Sequence, residues 1–312
     1  MLKELIIFIL VFLISINLLK FIIPKFKKSF LDIPIERSSH INPTPRAGGI
    51  IFVITSLLLS IYYQNFIPLI CLPLAIIGLV DDRKNIPPLF KYPFQVITSL
   101  TLIYYSDFNT NIFNFDVQAF NILLIFLLIL ISTALINFIN FMDGVDGLIT
   151  VSMITPFFYL IFNGQLFLIP VLASLFAFLI FNWSPAKIFM GDIGSTFLGA
   201  IYVGALFQIQ DINTLLTGLI IISPLIFDTS FTLLRRIINR QRIFDSHKLH
   251  LYQRLNQSGW SHPKVSLLYG SSILFIAFNS FYGGILLASL TSVIILILGT
   301  IIDRFIAIPF HK

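Results

Sequence analysis

The sequence predicts an all-α, polytopic integral membrane protein. It has about eleven transmembrane helices, the N-terminus outside and the C-terminus cytoplasmic. Three observations carry this. The 312 residues are 57% hydrophobic and only 11% charged, where a soluble domain carries about 25% charge, and mean hydropathy is +0.95. Apolar runs long enough to span a bilayer, or nearly so, recur from end to end. Lysine and arginine fall in alternate connections between those runs.

The runs lie near 5–23, 48–63, 66–80, 93–106, 119–138, 148–163, 165–182, 193–209, 213–234, 266–281 and 284–302. The first is long for the apolar part of a signal peptide, lacks a small-residue cleavage site and leads into a basic loop, so it reads as a retained anchor. Tight turns at Gln64-Asn65 and Asn163-Gly164-Gln165 separate neighbouring runs. If the last two runs form one re-entrant feature, the count falls to ten or fewer.

Orientation follows from the basic residues. Connections after odd-numbered runs hold Lys25, Lys27, Lys28, Arg37 and Arg46; Arg83, Lys84 and Lys91; Lys187; and Arg235 through Lys264. The other connections are nearly free of them and hold Asp107, Asp116 and Asp211; only Lys3 lies on the wrong side. The polar loops 24–47, 81–92, 139–147, 183–192 and 235–265 therefore share the cytoplasmic face of a single transmembrane domain. A net charge of +6 spread through loops speaks for membrane orientation and anionic ligands and against a nucleic-acid surface. The single cysteine, Cys71, excludes an intramolecular disulfide and a thiolate zinc site.

The chemistry-bearing residues lie in those loops. The central one reads Asn140-Phe141-Met142-Asp143-Gly144-Val145-Asp146-Gly147. Two carboxylates on a tight turn at the end of a membrane helix suit a hard cation carrying phosphates; the bland alternative is a pair of Asp-Gly turns. Asp81-Asp82 ends another run, where adjacent carboxylates repel and can supply a base or a metal ligand. The alternative there is a solvated cluster neutralised by Arg83 and Lys84. Asp192 sits between glycines in Phe189-Met190-Gly191-Asp192-Ile193-Gly194-Ser195. Phe189 either stacks on a planar base or is one more lipid-facing ring. In Pro43-Thr44-Pro45-Arg46-Ala47-Gly48-Gly49, Arg46 can meet an anion, as can His40 just upstream. His247 and His250, at i and i+3, would share a face of a short helix and bind pyrophosphate or metal. The alternative is a surface helix with Leu249, Leu251 and Leu255 dipping into lipid. Asp228, an acid inside a run, is a functional candidate by default, with Arg235 or Arg236 as a structural partner.

Together these motifs resemble the polyprenyl-phosphate N-acetylhexosamine-1-phosphate transferases (glycosyltransferase family 4). The resemblance runs from about Arg37 to His262, and the form His247-Lys248-Leu249-His250-Leu251-Tyr252-Gln253-Arg254-Leu255 is most similar to the O-antigen-initiating branch. It lacks the consecutive histidines of the pentapeptide-sugar branch. The resemblance implies that a UDP-N-acetylhexosamine gives its sugar 1-phosphate to undecaprenyl phosphate at the bacterial inner membrane, with magnesium, or manganese in its place. On matching positions it implies Asp192 as the main metal ligand, with Asp143 and Asp146. Asp81 deprotonates or positions the lipid phosphate, and Asp82 supports it. Asn140, Asp143, Asp146, Phe189, His247 and His250 form the nucleotide-sugar pocket, and Arg46 with His250 holds phosphate. Asp228 matches an acid with no settled role, and family precedent leans toward a homodimer among membrane lipids. The rival from another class is a transporter or lipid flippase, whose polar residues should lie near the bilayer midplane on broken helices.

Overall fold

Polar side chains sort the helix ends of this chain into two groups, and one group builds the candidate site. The computed structural model describes residues 2–34, 42–106, 118–242 and 247–310; Arg37, His40, Asp107, Asp116 and Asp245 lie outside these residues.

The helices are α1 (Leu2–Ser29), α2 (Ile50–Ser60), α3 (Ile67–Ile70), α4 (Leu72–Lys84), α5 (Tyr92–Tyr105), α6 (Gln118–Phe141) and α7 (Leu148–Phe162). They continue with α8 (Ile169–Asn182), α9 (Gly191–Phe207), α10 (Ile212–Ile221), α11 (Ser223–Ile238), α12 (Leu251–Gln257) and α13 (His262–Phe305). Between α1 and α2, β1 (Leu31–Asp32) pairs antiparallel with β2 (Thr44–Pro45), Leu31 opposite Pro45.

Among the described residues, α1, α6 and α13 are each long and apolar enough to cross a membrane, and the pair α10–α11, bent by 63°, passes the same test only when taken together, as a broken span or a re-entrant loop. α2, α7, α8 and α9 are shorter apolar helices. The chain is a helical, membrane-embedded protein. Two places bear on the span count. The run 213–234 is not one straight helix: it breaks at Ile222, and Pro224 sits in the first turn of α11, where its missing N–H costs nothing. The last two runs form one 44-residue stretch broken at Gly283 and Gly284, the latter at φ 56°, a region open to glycine. His262, at the start of α13, lies against Asp146, and Asp303, near its end, pairs with Arg235 at 2.6 Å. Both ends thus return to the same side. α13 is a helical hairpin, each arm rising about 30 Å, and not one shallow re-entrant loop.

At the far end, Tyr63 donates to Glu4 (2.6 Å), Asn65 to Gln208 (2.8 Å) and Tyr159 to the Thr214 carbonyl (3.2 Å). At the near end, the last turns of α4 and α6 meet the starts of α5 and α9, and the turn after α6 meets the start of α13. The core is centred on α9, buried at every position from Ile193 to Phe207. Its start is crowded by design of sequence: a Cβ on Gly49 would lie 2.1 Å from the Gly194 Cα, and one on Gly78 would lie 2.7 Å from the Ile193 nitrogen. Only glycines let α2 and α4 approach that closely, and the approach delivers the Asp81-Asp82 pair to Asp192.

Candidate active site

The first helix turn of α9 exposes unpaired backbone N–H groups. Asp82, 3% exposed, fills that need: Asp192 N–H donates to its Oδ1 (2.9 Å) and Ile193 N–H to its Oδ2 (3.1 Å). Gly191 precedes them at φ 72°, and a Cβ there would strike the Asp82 carboxylate. Asp82 therefore acts on Asp192 through the backbone, with both oxygens engaged.

Asp81 faces the other way. Its Oδ1 accepts from the Ile86 N–H (2.7 Å) and its Oδ2 from Lys91 Nζ (2.7 Å). The same ammonium also bonds Asp192 Oδ2. Lys91, at the start of α5, thus sits between two acids from two other elements. Burial, and then the Asp192 carboxylate beside it, push Asp81 up, with Lys91 opposing.

The 139–147 turn supplies the third side. Asn140 Nδ2 donates to Ser195 Oγ (2.8 Å), tying the end of α6 to α9. Burial, then the Asp192 and Asp146 charges, push Asp143 up to about 7. A carboxyl in that condition gains most from a cation. Asp146 is used differently. Its Oδ2 accepts from Ala186 N–H (3.2 Å) and lies 3.1 Å from His262 Nδ1. Burial opposes the charge, but His262 and the Ala186 N–H hold Asp146 below the usual carboxylate range. Gly147, at φ 75°, then starts α7, its N–H on Asn182 Oδ1 (3.1 Å).

Loop 235–265 differs from the expected short histidine helix. Helix α12 begins only at Leu251, so His247 and His250 precede it in irregular backbone. Their rings still lie together, with centroids 4.9 Å apart. Burial, then His250 and Arg236, push His247 down to about 3, so it is a neutral ring at pH 7 that accepts from the Leu249 N–H (3.2 Å). His250 is 3% exposed and packs beside Phe141 and Tyr252. Leu255 is fully buried, so α12 does not lie with all three leucines in lipid. Asp228 does not pair with Arg235, which bonds Asp303 instead. It accepts from Leu251 N–H (2.7 Å), Tyr252 N–H (3.1 Å) and Tyr269 hydroxyl (2.7 Å).

Arg46 donates to Asn85 Oδ1 (2.9 Å), joining the first loop to the second, and its Nε is buried without a hydrogen bond. Phe189, half-buried, is fixed by its backbone: its N–H donates to the Pro45 carbonyl (2.8 Å) and its carbonyl accepts from Gly48 (2.9 Å).

Comparison with known proteins decides the family. The glycosyl transferase family 4 model matches residues 64–210. The chain is 30% identical over 265 residues to a probable undecaprenyl-phosphate N-acetylglucosaminyl 1-phosphate transferase of Bacillus subtilis, covering 76% of this chain and 72% of that protein. It is 34% identical over 251 residues to a phospho-N-acetylmuramoyl-pentapeptide-transferase of Dictyoglomus turgidum, covering 73% and 80%. A decaprenyl-phosphate N-acetylglucosaminephosphotransferase of Mycobacterium leprae is 28% identical over 299 residues, covering 79% and 75%. The chain belongs to glycosyl transferase family 4.

In this family 4 transferase the structure gathers Asp81, Lys91, Asn140, Asp143 and Asp192 at one helix-end junction. Among the described residues no three of His, Cys, Asp and Glu converge as a metal cage. Asp143, Asp146 and Asp192 do not form such a group as they stand: Asp146 Oδ2 is engaged by His262 and the Ala186 N–H. Two carboxylates still fit magnesium, which keeps waters and takes its other ligands from substrate phosphates. Lys91, Tyr252 and His262 carry no role in the sequence reading. The signal for Lys91 was its position: a lysine opening an apolar helix, ten residues after the acid pair, in a loop on the same side. Tyr252 and His262 gave no comparable signal, since their partners are backbone groups and a distant aspartate.

Proposed function

We propose that this transferase moves N-acetylhexosamine 1-phosphate from a UDP-sugar to undecaprenyl phosphate, releasing UMP and undecaprenyl-diphospho-sugar. In bonds, the phosphorus that carries the sugar exchanges its link to the UMP oxygen for a link to an oxygen of the lipid phosphate. The observation that carries the reading is Lys91 held between Asp81 and Asp192, next to Asp143. Phosphoryl transfer asks for positioning and charge neutralisation more than covalent help, and this junction offers cations and cation ligands together.

Asp192 and Asp143 would hold magnesium, or manganese in its place, and the ion would neutralise the diphosphate. Asp81 orients the lipid phosphate and takes its proton. Lys91 supplies a fixed positive charge where the phosphates meet. Arg46 and His250 border the phosphates, Asn140 and Phe189 the nucleotide, and Asp146 acts as the tie that holds the turn. The loops face the cytoplasm of a bacterium, and about eleven helices cross the inner membrane with the N-terminus outside, as the basic-residue bias supports. The polar groups sit at helix ends, which favours an enzyme at the membrane surface over a flippase with a midplane site.

The pathway is the first committed step of O-antigen or a related envelope polysaccharide. Relatives of both sugar branches match this chain. The His-x-x-His spacing of His247 and His250, without consecutive histidines, favours a simple N-acetylhexosamine donor over the pentapeptide sugar. The test is donor choice: purified enzyme with magnesium and undecaprenyl phosphate should release UMP from a UDP-N-acetylhexosamine. Turnover only with the pentapeptide-bearing donor would overturn the branch assignment.

A further inference from the structure

Asp228 lies within α11, is 6% exposed, and carries no assigned role. Its carboxylate is filled by donors: Leu251 N–H (2.7 Å), Tyr252 N–H (3.1 Å), Tyr269 hydroxyl (2.7 Å) and Thr232 hydroxyl (3.3 Å). Such an acid has little capacity left for a ligand, but it has two structural clients. One is α12, seven residues long, too short to persist without tertiary support. The other is the first arm of α13, through Tyr269.

Both clients reach the acidic turn. From α12, the Tyr252 hydroxyl donates to the Phe141 carbonyl (2.9 Å), and a Cβ on Gly144 would lie 2.3 Å from that hydroxyl oxygen. Tyr252 is 1% exposed, so its ring fills the space beneath the turn. From α13, His262 meets the Asp146 carboxylate (3.1 Å), and Ser266 Oγ donates to the Asp146 carbonyl (2.8 Å). Ser266 and Tyr269, at i and i+3, share a helix face. The turn bearing Asp143 is thus gripped at Phe141 from one side and at Asp146 from the other, and Asp228 joins the two grips.

We propose that Asp228 is a positioning residue that couples the histidine loop to the acidic turn, through Leu251, Tyr252 and the Phe141 carbonyl. His250 Nδ1 lies 3.5 Å from Asp228 Oδ1, so ordering of His250 by a bound diphosphate is then passed to the turn that bears Asp143 through the Asp228–Tyr252 and Tyr252–Phe141 hydrogen bonds. The inference rests on the transferase reading for its purpose, and on these contacts alone for its mechanics.

The experiment is amide hydrogen exchange on the full-length protein in detergent, paired with steady-state kinetics. Asp228→Ala should speed exchange in both 249–254 and 139–147, by about fivefold or more, the scale of one net hydrogen bond. Tyr252→Phe, which removes one hydroxyl and keeps the packing, should speed exchange in 139–147 and leave 249–254 as in the parent. In kinetics, Tyr252→Phe should lower kcat by about tenfold with KM for the UDP-sugar within twofold, the pattern of a lost transition-state arrangement. Asp228→Asn, which keeps one acceptor oxygen, should fall between parent and Asp228→Ala. The coupling is refuted if Tyr252→Phe leaves exchange in 139–147 unchanged, or if Asp228→Ala loosens 249–254 alone. A parent protein with no transfer activity would instead refute the transferase reading, and the exchange arms would still decide the coupling.

Discussion

Asp82 holds Asp192 by the backbone: the Asp192 N–H donates to Asp82 Oδ1 at 2.9 Å, while Asp192's own carboxylate is left to Lys91. Adjacent residues Asp81 and Asp82 therefore divide their work. Asp81 faces the ammonium, and Asp82 anchors the helix that presents the opposing acid.

That division separates two variants. Asp192→Asn should abolish transfer and leave the fold and membrane insertion intact. Asp82→Asn turns an amide N–H toward a backbone N–H and should cost about 1–3 kcal/mol of stability as well as activity. Thermal unfolding in detergent beside UMP release checks both; equal melting temperatures for the two variants would deny Asp82 its anchoring role.

Lys91→Met should lower kcat about a hundredfold, the scale of losing one preorganised charge at a phosphoryl-transfer site. Folding should survive, because methionine keeps the length and apolar stem. Near-parental turnover would mean that the ammonium only neutralises the acids and does not serve the substrate.

Asp143 gives a pH dependence with a definite sign. Its carboxyl is pushed up to about 7, so the folded, metal-free protein retains that proton where an unfolded chain has lost it. Stability of the metal-free protein should therefore decline as pH rises from about 4 through 7. Magnesium must displace the proton, so its apparent affinity should climb between pH 6 and pH 8. Magnesium titrations of UMP release at the two pH values check this, and Asp143→Asn should remove the difference along with most of the activity.

Phe189→Ala should weaken UDP-sugar binding more than lipid binding, with KM for the donor rising about tenfold, on the scale of a lost base-stacking contact. Calorimetric titration with the donor and with undecaprenyl phosphate separates the two effects. Unchanged nucleotide affinity would return Phe189 to the role of a backbone tie to Pro45 and Gly48.

Much of this was legible in the sequence because membrane residence leaves so few polar residues to interpret. With 11% charge, Asp81, Asp143 and Asp192 stand out against apolar runs, and their loops come to one helix-end junction. What the sequence hid was which acids face the junction and which are tied to backbone groups and a distant histidine. Asp82 and Asp228 read as chemistry, yet both cap helix starts, and a cap partner more than twenty residues away leaves no local pattern. Asp146 read as a metal ligand because it repeats Asp143 at i+3; its pairing with His262, 116 positions on, depends on how α13 docks. The hairpin in α13 was ambiguous for a similar reason. Gly283-Gly284 permits a break, but only the return of Asp303 to Arg235 shows that the chain turns back there.

The most direct test of the central claim is UMP release by the purified protein in detergent, given undecaprenyl phosphate, magnesium and a panel of UDP-N-acetylhexosamines. The account predicts UMP that requires both the lipid and the metal, is fastest with one donor, and is lost in Asp192→Asn. Well-folded protein that releases no UMP from any UDP-sugar in the presence of lipid and magnesium would contradict it.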